Sequence, residues 1–240
     1  MMGNTMICGA APQMKVPISV IKASDIAVGS IVYLMENGTA VEYLVVNQGK
    51  PSGSSLYADS CDGTWLLRKH IIENRVWDDG NVNKLESSDI HLWLNSTMLL
   101  KFDENAQNAI KLIKIPYRKG GGTKGTFKTG ENGLQCKVFL LSMREVGDGS
   151  TFDDGAKLAF FELGSDTSAK NKRIAYIDGN PSEYWLRSVH PYSTDYVYEV
   201  LTSGNVSNTA SELLRGIRPA LVIQKTALFE RNSMVLIGVA

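Results

Sequence analysis

Histidine, cysteine, acidic and glycine-rich stretches are where a chain of this composition could do chemistry, and each sets a spacing test. A nitrogen and sulfur metal site draws its ligands from short paired spacings. His70, His91 and His190 stand at no such spacing from one another or from Cys8, Cys61 and Cys136. Oxygen ligands for calcium are plentiful in Asp153-Asp154-Gly155 and between Asp178 and Glu183. Neither stretch has the loop spacing of an EF-hand, so both are read as exposed turns. A phosphate-cradling loop needs a Lys followed by Ser or Thr at the end of its glycines. In GGGTKGT the Lys precedes a glycine, and the run is read as a basic, exposed loop. No G-x-S-x-G elbow occurs, and Cys136 lies beside an apolar run where a buried, inert thiol is expected. The residues point to no catalytic centre, no metal and no cofactor.

A different kind of chemistry stands out between Ser188 and Ile223. This stretch contains no Lys, Gln, Met or Trp and only two Glu, Glu199 and Glu212. A stretch of that length in this composition would hold roughly seven residues of those five types. In their place stand tyrosines with many Ser, Thr and Asn, a mixture resembling antibody paratopes, where Tyr supplies contact area at low entropic cost. Composition alone fits a polar hairpin with exposed turns equally well. The ligand-binding candidates are His190, Tyr192, Ser193, Thr194, Asp195, Tyr196, Tyr198, Leu201, Thr202, Asn205, Ser207, Asn208, Thr209, Ser211, Leu213 and Leu214. Val197, Val200 and Val206 are expected to face inward as supports. The frame is YWLRS before the segment and GIRPAL after it. Trp185 and Leu186 are apolar in a short strand, Arg187 and Arg218 are candidates for pairing or backbone bonding inside the fold, and Gly216 with Pro219 shapes the return strand.

The elements that must position this segment read as α+β. Residues 1–24 lack periodicity, carry Pro12 and Pro17, and are expected to form an arm ordered by a partner; residues 25–240 form the domain. GSIVYLM (29–35) and VEYLVVN (41–47) flank Asn37-Gly38, a strong hairpin signal. TWLLRKHII (64–72) reads as a strand and VWDDGNVN as a loop. Ser88 caps a helix with Ile90, Trp93, Leu94 and Thr97 on its buried face, and Asp103 caps a second with Ala106, Ala109, Ile110 and Ile113. These two are the long helices expected. KVFLLS (137–142) returns to strand, and S-M-R-E at 142–145 matches a capping box followed by a helical turn. DDGAKLAFFELG reads as a further helical turn, and YWLRS, YVYEVL, SGNVS and GIRPALVI as short strands.

Lys plus Arg balance Asp plus Glu at 25 each, which gives no basic excess to recruit nucleic acid or an acidic membrane surface. No apolar run is long enough to span a membrane, and the N-terminus lacks the basic start of an export signal. The odd, widely spaced cysteines suggest free thiols in a cytosolically made protein.

YWLRS followed by GIRPALVI, with VEYLVVNQG, DGTWLLRK, IHLWLNST, IKIPYRKG and KVFLLS before EVG, resembles a domain family of unassigned function common in phages and gut bacteria, across residues 25–224. That family resembles the formylglycine-generating-enzyme branch of the C-type lectin fold, with two helices packed on small antiparallel sheets. Several of its members look like variable proteins of diversity-generating retroelements. There, randomised template adenines turn AAY codons into many residues but never Lys, Gln, Met, Trp or Glu, so Glu199 and Glu212 would be fixed scaffold; Gly204 is read as scaffold beside Val197, Val200 and Val206. The resemblance implies a non-catalytic phage tail protein that binds a host cell-surface protein or glycan. It further implies contacts with other tail proteins, and a trimer by analogy. Two alternatives are an oxygenase of the formylglycine-generating kind, for which no Cys follows Cys136, and a purely structural virion protein.

Overall fold

Asn37 and Gly38 both take the left-handed conformation, φ 48° and 77°, as a two-residue hairpin turn demands. They join Ile31–Glu36 to Thr39–Gln48 as the expected hairpin, with Glu36 opposite Thr39 and Ile31 opposite Leu44. The computed structural model describes residues 19–51, 55–122, 126–149 and 155–240. Most of the expected arm, Cys8, Pro12, Pro17, Asp153 and Asp154 lie outside the described residues.

The hairpin forms one end of a five-stranded antiparallel sheet. Thr64–Arg68 pairs with Thr39–Gln48, Ala220–Ile223 with Thr64–Arg68, and Val138–Phe139 closes the far edge. The strand expected over 64–72 ends at Arg68, because Ile71 and Ile72 leave the sheet and donate instead to Tyr176 O and Ile217 O. A second five-stranded sheet orders Val206–Ala210, Tyr196–Val200, Tyr184–Val189, Arg215–Gly216 and Asn74–Arg75, with one parallel pair between Tyr184–Val189 and Arg215–Gly216. A third sheet joins Val20–Lys22, Ala227–Glu230 and Leu236–Val239. One continuous core unites them, with Trp65, Trp77 and Trp185 fully buried. Their rings supply large apolar area while each indole N–H finds a backbone carbonyl, as a buried Trp requires.

The helices are shorter than their spacing suggests. Ser88 caps Asp89–Trp93 by accepting from His91 N, and Ile90, Trp93 and Leu94 are buried as expected. The next turn, Leu94–Met98, is widened to a π turn. Widening adds a residue to the turn and rotates the face that follows, so Met98 is buried where Thr97 was expected, and Thr97 is exposed. Asp103 caps Glu104–Ala109, which stops there because Ile110 turns extended and bridges to Ile223; Ile113 is buried in the strand Ile113–Ile115. A third helix, Thr167–Arg173, was not expected; Asp166 caps it through Ala169 N. In DDGAKLAFFELG, the described residues from Gly155 form turns without a helix. The chain is thus mixed α and β, mostly small antiparallel sheets with few helices, and no helix among the described residues is long and apolar enough to cross a membrane.

Candidate binding surface

The frame YWLRS is the strand Tyr184–Val189, whose six residues are all buried. Arg187 leaves it into the core, where it forms a two-pronged ion pair with Glu145, the Nη2 prong at 2.7 Å. Its Nε donates to Pro116 O at 3.1 Å and Nη1 to Leu140 O at 3.0 Å. Glu145 also accepts from Tyr57 Oη at 2.6 Å. The same Glu completes the capping box: Ser142 N donates to its carboxylate at 3.0 Å, and its own N donates to Ser142 Oγ at 3.1 Å. Arg218 donates to Arg68 O at 3.0 Å and lies over the Tyr184 ring. Both arginines therefore bond inside the fold, as expected.

From the end of that strand the chain makes a loop over 190–195, returns as Tyr196–Val200, turns at 201–205 and runs out along the sheet edge as Val206–Ala210. At this loop three tyrosine rings gather around His190. Tyr198 stacks on it at 6.1 Å, and Tyr192 and Tyr196 stand edge-on at 6.2 and 6.4 Å. Tyr192 is 64% and Tyr196 42% exposed, while His190 is half-buried. Thr194 is exposed between them. The packed rings lose little freedom on meeting a ligand, a property that favours aromatic anchors.

The sixteen candidates do not form one surface. Tyr198, 8% exposed and covered by His190, and Ser211, fully buried, are corrected to support. Ser211 N donates to Asp195 O at 3.0 Å, and its hydroxyl to Asn81 Oδ1 at 3.2 Å. Ser193 and Asp195 are spent on their own loop: the Ser193 hydroxyl donates to the Asp195 carboxylate and accepts from Asp195 N and Tyr196 N. Thr202 and Asn205 lie at the far end of the hairpin, with Leu201 half-buried beside them. A five-residue strand separates this end from Tyr196, roughly 15 Å at strand rise. Thr202 instead shares a shallow groove with Leu214, Ser182, Glu183 and Arg215. Ser207, Asn208 and Thr209 are half-buried on the edge strand, and Leu213 and Leu214 are exposed in the turn that follows.

The supports are mixed as well. Val197 and Val200 are buried, Val206 only partly. Glu199 is buried and accepts from Arg215 Nε at 2.5 Å; burial nonetheless pushes its carboxyl above the ordinary range. Glu212 is exposed, on the surface and not in the frame. Gly204 is buried at φ 78°, and a Cβ there would stand 2.2 Å from Lys170 O. Gly204→Ala is accordingly expected to cost at least about 2 kcal/mol in urea unfolding, from left-handed strain plus a contact with backbone that cannot yield.

Sequence reasoning missed two residues beneath the segment. Trp77 Nε1 donates to Leu186 O at 3.2 Å, and Asn83, fully buried, bonds the 190–196 loop. Both lie in VWDDGNVN, read only as loop, and no local spacing marks them. The glycine run is likewise less exposed than expected, with Gly120, Gly121 and Gly122 half-buried at positive φ.

Cys61 and Cys136 are buried; burial pushes the Cys61 thiol up to about 11 and raises Cys136 further. Both stay protonated at pH 8, and protonated thiols are poor nucleophiles. In a Cys8→Ser background, a disulfide-exchange reagent at pH 8 is expected to react with the native protein at less than about a tenth of the rate seen in denaturant. Among the described residues no three His, Cys, Asp or Glu side chains gather in a way that could hold a metal ion.

A family model described as Domain of unknown function (DUF6273) matches residues 62–225, a stretch that includes the whole frame and the loop it holds. No curated protein and no solved structure matches the chain.

Proposed function

The chain belongs to the DUF6273 family, domains of unknown function, and we propose that it serves as a non-catalytic binding protein whose surface is built on the 190–214 segment. One observation carries this reading: two exposed tyrosine rings and Thr194 ride on a loop whose ends are fixed by buried strands and by the Arg187–Glu145 pair. Side chains there can change while the core does not, which is how function is grafted onto a stable scaffold. Burial of Cys61 and Cys136 speaks against these two thiols serving the formylglycine-generating kind of chemistry, which needs reactive cysteines.

The finer reading is a C-type-lectin-like domain in the tail of a phage particle, binding a host cell-surface protein or glycan. In it, the residues before the domain join the protein to other tail proteins or to sister copies in a trimer. The absence of Lys, Gln, Met and Trp between Ser188 and Ile223 supports diversification by a retroelement. Sequencing sister copies from one source tests it. Variation concentrated at Tyr192, Thr194 and Tyr196, with Tyr198, Gly204 and Ser211 constant, is the expected pattern. Variation spread evenly along the chain would favour a purely structural virion protein.

A further inference from the structure

Asn83 comes from the loop after Asn74–Arg75, far in sequence from the segment it meets, and it is fully buried. Its side-chain amide donates to the carbonyl oxygens of His190 at 3.3 Å, Ser193 at 2.9 Å and Tyr196 at 3.0 Å. Its Oδ1 accepts from Gly121 N at 2.7 Å, and its own N donates to Thr194 O at 2.8 Å. One side chain thus spans the 190–196 loop at its start, middle and end and ties it to the glycine run. The glycines suit this closeness. A Cβ on Gly120 would lie 2.0 Å from Asn83 O, and one on Gly122 would lie 2.9 Å from the Thr194 methyl.

We infer that Asn83 is the positioning residue of the recognition loop: it holds the 190–196 main chain in one shape whatever side chains the loop displays. The inference rests on reading 190–196 as part of the binding surface. Every bond Asn83 makes to the loop ends on main chain, so Tyr192, Thr194 and Tyr196 can be exchanged without breaking one. Three carbonyl oxygens converge on the amide nitrogen, so a donor is required there. An isosteric acceptor would face those oxygens with nothing to donate and would leave them unsatisfied in a buried place. A loop held in this way pays little ordering entropy on binding, which is the advantage of preorganisation.

Amide hydrogen exchange on the full chain tests the inference. In the wild type, the Asn83 and Gly121 amides are expected to exchange at least about a hundredfold more slowly than the exposed Thr202 and Ser203 amides, although all four lie outside strands. Asn83→Asp, of the same size without the donor, is expected to speed exchange across 190–196 and at Gly121 by at least about tenfold, with the Thr39–Gln48 and Thr64–Arg68 strands unchanged. Tyr192→Ala, Thr194→Ala and Tyr196→Ala are expected to leave those rates as they are. On whole bacterial cells that retain the wild type, Asn83→Asp is expected to weaken retention at least about tenfold at a temperature where it is still folded. Wild-type Asn83 and Gly121 amides that exchange like those of Thr202 and Ser203 overturn the inference, and this needs no variant to fold. So does an Asn83→Asp protein with unchanged loop exchange or one loosened evenly throughout. Unchanged retention by the three alanine variants would instead overturn the recognition reading and leave the clamp standing.

Discussion

Arg187→Met is expected to lower folding stability by about 3–5 kcal/mol, the largest single effect in the frame, because it leaves the buried Glu145 without its cationic partner. Both side chains are almost wholly shielded, so the pair is not the weak surface kind. Tyr57 and the Ser142 amide still reach the carboxylate, but neither carries a charge to balance it. The loss extends beyond electrostatics. Pro116 O and Leu140 O, held by the guanidinium, also lose their donor, and each unsatisfied carbonyl adds to the cost. A Glu145→Met, Arg187→Met double variant removes both charges and is expected to recover at least about 1 kcal/mol of the loss, a coupling that the double-mutant cycle reads directly. Urea unfolding measures all three. An Arg187→Met protein within about 1 kcal/mol of the wild type would mean that the pair does not brace the strand leading into the loop.

Removing both exposed rings should have the opposite profile, a large loss of binding with little loss of stability. Tyr192 and Tyr196 stand out from the loop, 64% and 42% exposed, so truncating them opens no core cavity. The Tyr192→Ala, Tyr196→Ala double variant is therefore expected to unfold within about 1 kcal/mol of the wild type. Aromatic anchors at the centre of an interface typically cost about 2 kcal/mol or more when truncated. A loss of about thirtyfold or more in affinity is expected for the pair, since 1.4 kcal/mol is about tenfold. His190 is a partial exception on this surface. It supports Tyr192 and Tyr196 edge-on and packs on Tyr198, so His190→Ala disturbs the loop and the binding face together.

What the sequence made legible was local. The caps at Ser88 and Asp103, the Asn37-Gly38 hairpin and the Ser142–Glu145 box each depend on residues a few positions apart, and all four form. The α+β class and most short strands follow from the same local patterns. What the sequence hid was long-range or a matter of helical phase. Glu145 was legible as half of a capping box, yet its bond to Arg187 joins positions 42 apart, and no spacing rule reaches that far. Asn83 meets Ser193 across 110 positions, in a stretch whose composition signals only a loop. Thr97 gave way to Met98 because one widened turn shifts the phase on which helical periodicity relies. The candidate segment was found by composition, which cannot tell a displayed tyrosine from a packed one. Tyr196 and Tyr198 lie on the same side of one strand, and only the position of His190 and the neighbouring strands makes the second a support.

The central claim is that binding resides at the loop end of the 190–214 segment and not elsewhere on the surface. Retention on whole bacterial cells, measured for alanine variants at Tyr192, Thr194 and Tyr196 beside alanine variants at the exposed Leu92, Leu100 and Leu163, tests it most directly. The expected result is retention lost at Tyr192 and Tyr196, weakened at Thr194 and unchanged at the three leucines. Retention lost at the leucines and intact at both tyrosines would contradict it.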